Sequence, residues 1–185
     1  MDLASKKNNV KKQLLWVALV SISMFFASML SAFIVEKADV VNWKVFILPD
    51  QFEISTGIII LSSFLLFFIK PLLNRERPIF GLVFIVLILG LLFSYFQIKG
   101  WQQLTNEGVY LTGAGSNVAG SFLYILTLTH LLHLVGGLVG LCISTIKSKQ
   151  NLYSINNYLG LELTAIYWHF LTILWVILFA FLKFY

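Results

Sequence analysis

The chain has 185 residues, of which 59% are hydrophobic and only 11% charged, against roughly a quarter charged in soluble globular domains. That balance excludes a water-soluble domain, and the net charge of +5 falls in a few short segments, where it reads as membrane topology and attraction to anionic head groups rather than as a nucleic-acid surface. Cys142 is the single cysteine, so no intrachain disulfide can form.

An apolar run of about 20 residues crosses the hydrocarbon core as a helix. Five such runs occur, with helices expected at about 13–35, 54–70, 79–103, 117–146 and 158–183. The first, Gln13 to Val35, is too long for a cleaved secretory signal and carries a small-residue surface at Ala27, Ser28, Ser31 and Ala32. The loop from Glu36 to Glu53 is amphipathic, with Trp43 expected at head-group depth on the outer side. The second run, Ile54 to Ile69, is expected to close at Lys70 and Pro71, and the third, Ile79 to Ile98, starts just after Pro78. Gly113, Ala114 and Gly115 then form a turn leading to an N-cap at Ser116 or Asn117. The fourth run, Val118 to Ile146, contains His130, His133 and the glycines Gly136, Gly137 and Gly140, with Gly136 and Gly140 in the spacing that lets another helix approach closely. The fifth, Leu159 to Leu182, holds Glu162 and His169.

These runs predict an all-α fold, a polytopic membrane bundle of five transmembrane helices forming one membrane domain over 1–185. Nine of the thirteen basic residues precede the first run or lie in the second and fourth loops: Lys6, Lys7, Lys11, Lys12, Lys70, Arg75, Arg77, Lys147 and Lys149. Basic residues in short loops stay cytoplasmic, which places the N-terminus in the cytoplasm and the C-terminus outside.

Titratable groups inside membrane spans are expensive and mark function by default. His130 and His133 are three residues apart on one helix face, and Glu162 and His169 are seven apart on another. Three imidazoles and a carboxylate form a chemically plausible metal set, but the same groups can hydrogen-bond partner helices or exchange protons if water reaches them. Ser62, Ser63, Thr127, Thr129 and Thr172 can bond to carbonyls of their own helices. No nucleophile stands with a base and an orienting partner, and no internal repeat points to a transporter of repeated halves. The residues alone lead to a compact bundle with two polar stripes, suited to supporting a catalytic neighbour.

Two segments carry a family resemblance. Gly120 to Leu138, GSFLYILTLTHLLHLVGGL, resembles the signature helix of subunit III of haem-copper respiratory oxidases, with its two histidines three apart and the following glycine pair. Leu161 to Phe179 resembles that family's closing helix through Glu162, Tyr167, Trp168, His169, Phe170 and Trp175. Weaker likeness over Met24 to Val35, Ser55 to Ser63 and Phe96 to Leu104 extends the match to nearly the whole chain, in the manner of short five-helix bacterial forms. The resemblance implies an accessory, non-redox subunit of a cytochrome c oxidase in aerobic respiration, without catalytic residues or metal of its own. Haem a and copper would sit in partner subunits, and the chain would pack directly on subunit I, with subunit II and other oxidase subunits nearby and a respiratory supercomplex as a further partner. It further implies a bacterial inner membrane, bound phospholipid, stabilisation of subunit I and support of proton uptake. His130, His133, Glu162, His169 and Trp168 would form a structural polar network, with Lys147 and Trp175 at the lipid. Lys147 stands where the family often has an arginine, Ile22 where many members have a glutamate, and Thr172 where the closing helix often has an aspartate.

Two alternatives stay within the resemblance: subunit III of a quinol oxidase, and a nitric oxide reductase accessory protein. Two lie outside it: a self-contained membrane cytochrome using His130, His133 and His169 as ligands, and a proton-coupled carrier using Glu162.

Overall fold

In the computed structural model, residues 3–39, 48–75, 78–113, 116–154 and 157–184 are described. Expectations for Trp43, Arg77, Ala114 and Gly115 fall outside them. The described chain forms six helices and no strand: α1 Leu3–Asp39, α2 Asp50–Leu66, α3 Ile69–Asn74, α4 Phe80–Asn106, α5 Val118–Lys149 and α6 Leu159–Phe184. Because α2 and α3 together make one crossing, five spans are long and apolar enough to traverse a membrane.

The α2–α3 junction shows how local chemistry shapes a span. Pro71 has no N–H to offer the Phe67 carbonyl, and its ring would strike that carbonyl in a continuous helix. The chain responds one turn earlier, where the Phe67 and Phe68 N–H groups bond to Phe64 O and Leu65 O, three residues back rather than four. Pro71 then sits in the first turn of α3, where no intrahelical N–H is needed, and helix continues to Asn74 instead of closing at Lys70. At α5, Asn117 is the N-cap, its side chain accepting the Gly120 N–H at 2.6 Å.

Helix α2 packs along α4, α4 against α5, α5 against α6, and α6 returns to α2, closing a four-helix ring. One apolar cluster fills it, with Phe52, Ile59, Val86, Phe93, Leu134, Leu141, Trp168 and Trp175 all essentially inaccessible. Helix α1 lies outside this ring against α5 and α6. Its buried residues, Leu19, Phe26 and Phe33, recur every seven positions, a coiled-coil-like seam, and Phe26 joins Leu126, Leu174 and Leu178 in a second small cluster.

Glycines permit the closest approaches. A Cβ on Gly90 of α4 would lie 2.6 Å from Trp168 Cη2, and one on Gly137 of α5 would lie 3.0 Å from Trp168 Cε3, so the indole is held between two helices where neither has a side chain. Gly140 faces Thr164, Gly136 faces the Tyr167 hydroxyl at longer range, and Gly100 admits the ring of Phe52. The small-residue face of α5 therefore receives α6.

Candidate functional site

The polar groups inside the bundle form a ladder of inter-helix bonds with a repeated design. Thr56 of α2 donates to Phe52 O at 2.6 Å and accepts the Trp175 indole N–H at 2.9 Å. Ser62 of α2 donates to Ile59 O at 2.7 Å and accepts the Trp168 indole N–H at 2.9 Å. Thr127 of α5 donates to Leu123 O and accepts the Trp101 indole N–H of α4 at 3.0 Å, while Ser55 donates to Phe52 O and accepts from Gln97 Nε2 at 2.9 Å. Each hydroxyl thus satisfies its own helix with its proton and a neighbouring helix with a lone pair. Among the described residues Thr172 bonds only within its helix, to Trp168 O.

The ladder sets register. Residues 56, 62 and 63 of α2 meet 175, 168 and 169 of α6, so spacings of six and seven on one helix match seven and six on its antiparallel neighbour. His169 shares this face: its Nδ1 lies 2.6 Å from Ser63 Oγ, and its ring stacks on Phe67 with centroids 4.4 Å apart.

The histidines and the carboxylate expected to form one network are distributed among separate contacts. His130 is fully buried, with the rings of Phe26, Phe93 and Trp175 around it and, among the described residues, no hydrogen-bond partner for either nitrogen. His133, half-buried, donates Nδ1–H to Thr129 O at 2.8 Å, its backbone carbonyl accepts the Tyr167 hydroxyl at 3.0 Å, and Phe26 packs edge-on against its ring. Glu162 pairs with Lys12 of α1, Nζ to Oε1 2.8 Å. Among the described residues no group of three His, Cys, Asp or Glu converges to hold a metal ion.

A second inter-helix ion pair, Lys183 with Glu53 at 2.6 Å, ties the other end of α6 to α2. Glu162 and Lys183 are twenty-one residues apart, roughly 32 Å at 1.5 Å per residue, close to the ~30 Å thickness of a hydrocarbon core. The two pairs therefore bracket the apolar belt.

Lys147, in the last turn of α5, lines a cleft of about 350 Å³ with Asn8 and Lys11 of α1, Tyr153 and Asn157 of the approach to α6, and Gly160 of its first turn. Two cations from different helices and several neutral polar groups suit an anionic head group. Sequence spacing gave no sign of Lys11 or Asn157, which reach this place only through α1 packing beside α5. Trp175 differs from expectation: it is fully enclosed by protein, stacked on Phe52 and bonded to Thr56, so its ring meets no lipid. A buried indole N–H needs a partner, and the Thr56 hydroxyl supplies it.

Comparison with known proteins agrees with this architecture. The family model described as cytochrome c oxidase subunit III matches residues 6–185. The chain is 30% identical over 168 residues to the probable cytochrome c oxidase subunit 3 of Nocardia farcinica, covering 85% of this chain and 79% of that one. It is 26% identical over 174 residues to the cytochrome bo(3) ubiquinol oxidase subunit 3 of Buchnera aphidicola, covering 90% of this chain and 82% of that one. A similar likeness, 26% over 187 residues and covering 97% and 91%, joins it to the probable quinol oxidase subunit 3 of Staphylococcus saprophyticus.

Proposed function

We propose, since the chain belongs to the cytochrome c oxidase subunit III family, that it serves as the accessory subunit of a bacterial cytochrome c oxidase, packed directly on subunit I in the inner membrane with its N-terminus in the cytoplasm. It is a multi-pass membrane protein of a family that supplies subunit III to haem-copper oxidases, cytochrome c and quinol oxidases both among its relatives. In this reading residues 1–185 act as one domain, and haem a and copper reside in the partner subunits. The chain itself holds phospholipid and stiffens subunit I, which sustains proton uptake.

The observation that carries the reading is the use made of the intramembrane polar groups. Trp101, Trp168, Trp175 and Gln97 bond to hydroxyls on other helices. His169 is tied to Ser63 and Glu162 to Lys12. Such groups hold helices in place, which is the work of a structural subunit. The Lys11–Lys147 cleft supports the lipid role: replacing both lysines with alanine should lower retention of anionic phospholipid through purification, each lysine contributing about 1 kcal/mol at a charged surface.

A gentle-detergent pull-down of the tagged chain, followed by a reduced-minus-oxidised spectrum, tests the whole. Haem a should co-purify, and its bands should persist when this chain is stripped away. Bands that leave with the chain would refute the reading. The 26% likeness to quinol oxidase subunits favours one second reading, in which the purified complex oxidises quinol instead of cytochrome c.

A further inference from the structure

We infer that the outer face of α6 between α1 and α2, centred on His169 and Ile173, is the slot that receives a transmembrane helix of the catalytic oxidase subunit, and that this helix presents a hydrogen-bonding side chain to His169 Nε2. The inference rests on the subunit reading above and deepens it by naming the docking face.

Both α1 and α2 pack on α6, yet they make no comparable contact with one another. At 100° per residue, His169 points to the α2 side of α6, where it meets Ser63, and Phe170 and Leu174 point to the α1 side, where they join the cluster around Phe26. Ile173 and Ile177 fall between, and they are 61% and 52% exposed. The floor of the slot is thus one helix wide, and Phe67 of α2, 65% exposed, forms one of its edges.

Exposed aliphatic residues alone would suit lipid tails equally well; His169 decides between them. Its ring is fixed by two contacts, the bond from Nδ1 to Ser63 and the stack on Phe67. The second nitrogen, on the opposite ring edge, has no partner among the described residues and is not enclosed by them. Seven residues separate His169 from the ion pair at Glu162, roughly 10 Å along the helix, so this nitrogen lies inside the apolar belt. Acyl chains offer it no hydrogen bond, and an unsatisfied polar group at that depth costs several kcal/mol. A protein helix carrying a hydroxyl, amide or carboxyl side chain satisfies it and covers the isoleucines together. The nitrogen can act as donor or acceptor according to the tautomer, and a hydroxyl partner serves either.

The test uses the assembled complex. A photo-reactive benzophenone side chain is placed at Ile173, and in separate samples at Leu132 of α5 and Ile85 of α4, both exposed on other faces. After irradiation in native membranes the tagged chain is purified and its cross-links identified. Attachment to the haem-bearing subunit from Ile173, and from neither control, is the expected result. Cross-links from Ile173 to lipid only, or to a second copy of this chain, would overturn the proposal, as would attachment to the haem-bearing subunit only from Leu132 or Ile85. In those cases co-purifying haem would leave the subunit reading standing; if no haem-bearing subunit co-purifies at all, both fail. As a second readout, His169→Phe should speed loss of the chain from the solubilised complex roughly three- to tenfold, the worth of one intramembrane hydrogen bond. An unchanged dissociation rate would remove the role given to the imidazole.

Discussion

Replacing Gly90 with alanine would test whether Trp168 is held as tightly as the packing indicates. The added methyl would stand 2.6 Å from Trp168 Cη2 and 2.8 Å from Leu138 Cδ2, against an ordinary carbon–carbon contact of about 3.5 Å or more. Leu138 can rotate away; the indole cannot, because Ser62 holds its N–H at 2.9 Å and Gly137 backs its other face. Overpacking of this kind costs about 1–3 kcal/mol, and pulling the indole off Ser62 adds about 0.6–1.7 kcal/mol, for a total of about 2–5 kcal/mol. Gly57 and Gly81 supply internal controls, since a methyl at either meets nothing within 4 Å. Both are in helices, where Gly→Ala is stabilising by about 0.5–1 kcal/mol. The assay is reversible unfolding of the purified chain in mixed micelles, followed by tryptophan fluorescence. Trp168→Phe in the Gly90→Ala background should recover part of the loss, since the smaller ring vacates the contested space, and a double-mutant cycle reports the coupling. A Gly90→Ala chain as stable as Gly81→Ala would refute the account of Trp168 as a wedged ring.

Three further outcomes follow from the same geometry. Trp175→Phe should destabilise by about 0.6–1.7 kcal/mol in the same micelle assay, and Thr56→Val in that background should add little, because the indole bond is already gone. Glu162→Gln should change stability by less than about 1 kcal/mol, since both partners of its ion pair are about a third exposed, with effects beyond that pointing to a larger role for the carboxylate. Unfolding measured in bilayers of graded acyl-chain length should show greatest stability near a hydrocarbon thickness of roughly 30 Å, where both ion pairs reach the interfaces; a flat profile would contradict their bracketing positions.

The spans were legible because a membrane helix must be apolar over a length set by the bilayer, a signal that needs no knowledge of neighbours. The cap at Asn117 was legible for a similar reason, being a local hydrogen bond three residues long. The effect of Pro71 was half legible: a proline disturbs the turn before it, but whether helix resumes depends on the packing of Ile69 and Leu73, both buried against the bundle. The glycine spacing in α5 announced close packing, yet the tightest approach falls at Gly137, with Gly90 on another helix, because the rotation of α5 about its axis decides which glycine lies beneath the indole. Trp175 was placed at the lipid by resemblance alone, and only the position of Thr56 on α2 shows that this indole turns inward. The Lys11–Lys147 cleft needed α1 to be laid beside α5, information that a pattern on one helix does not contain.

The double duty of the hydroxyls bears on biosynthesis. A chain made from its N-terminus delivers α2 to the bilayer long before α6, which carries both of α2's indole donors, has been translated. If Thr56 and Ser62 depended on those donors, α2 would wait in lipid with unsatisfied polar groups. Each instead gives its proton to a carbonyl of its own helix, Phe52 O and Ile59 O, so α2 can be inserted alone and remain at rest there. The acceptor sites left over are the marks by which α6, arriving last, finds its partner and its depth.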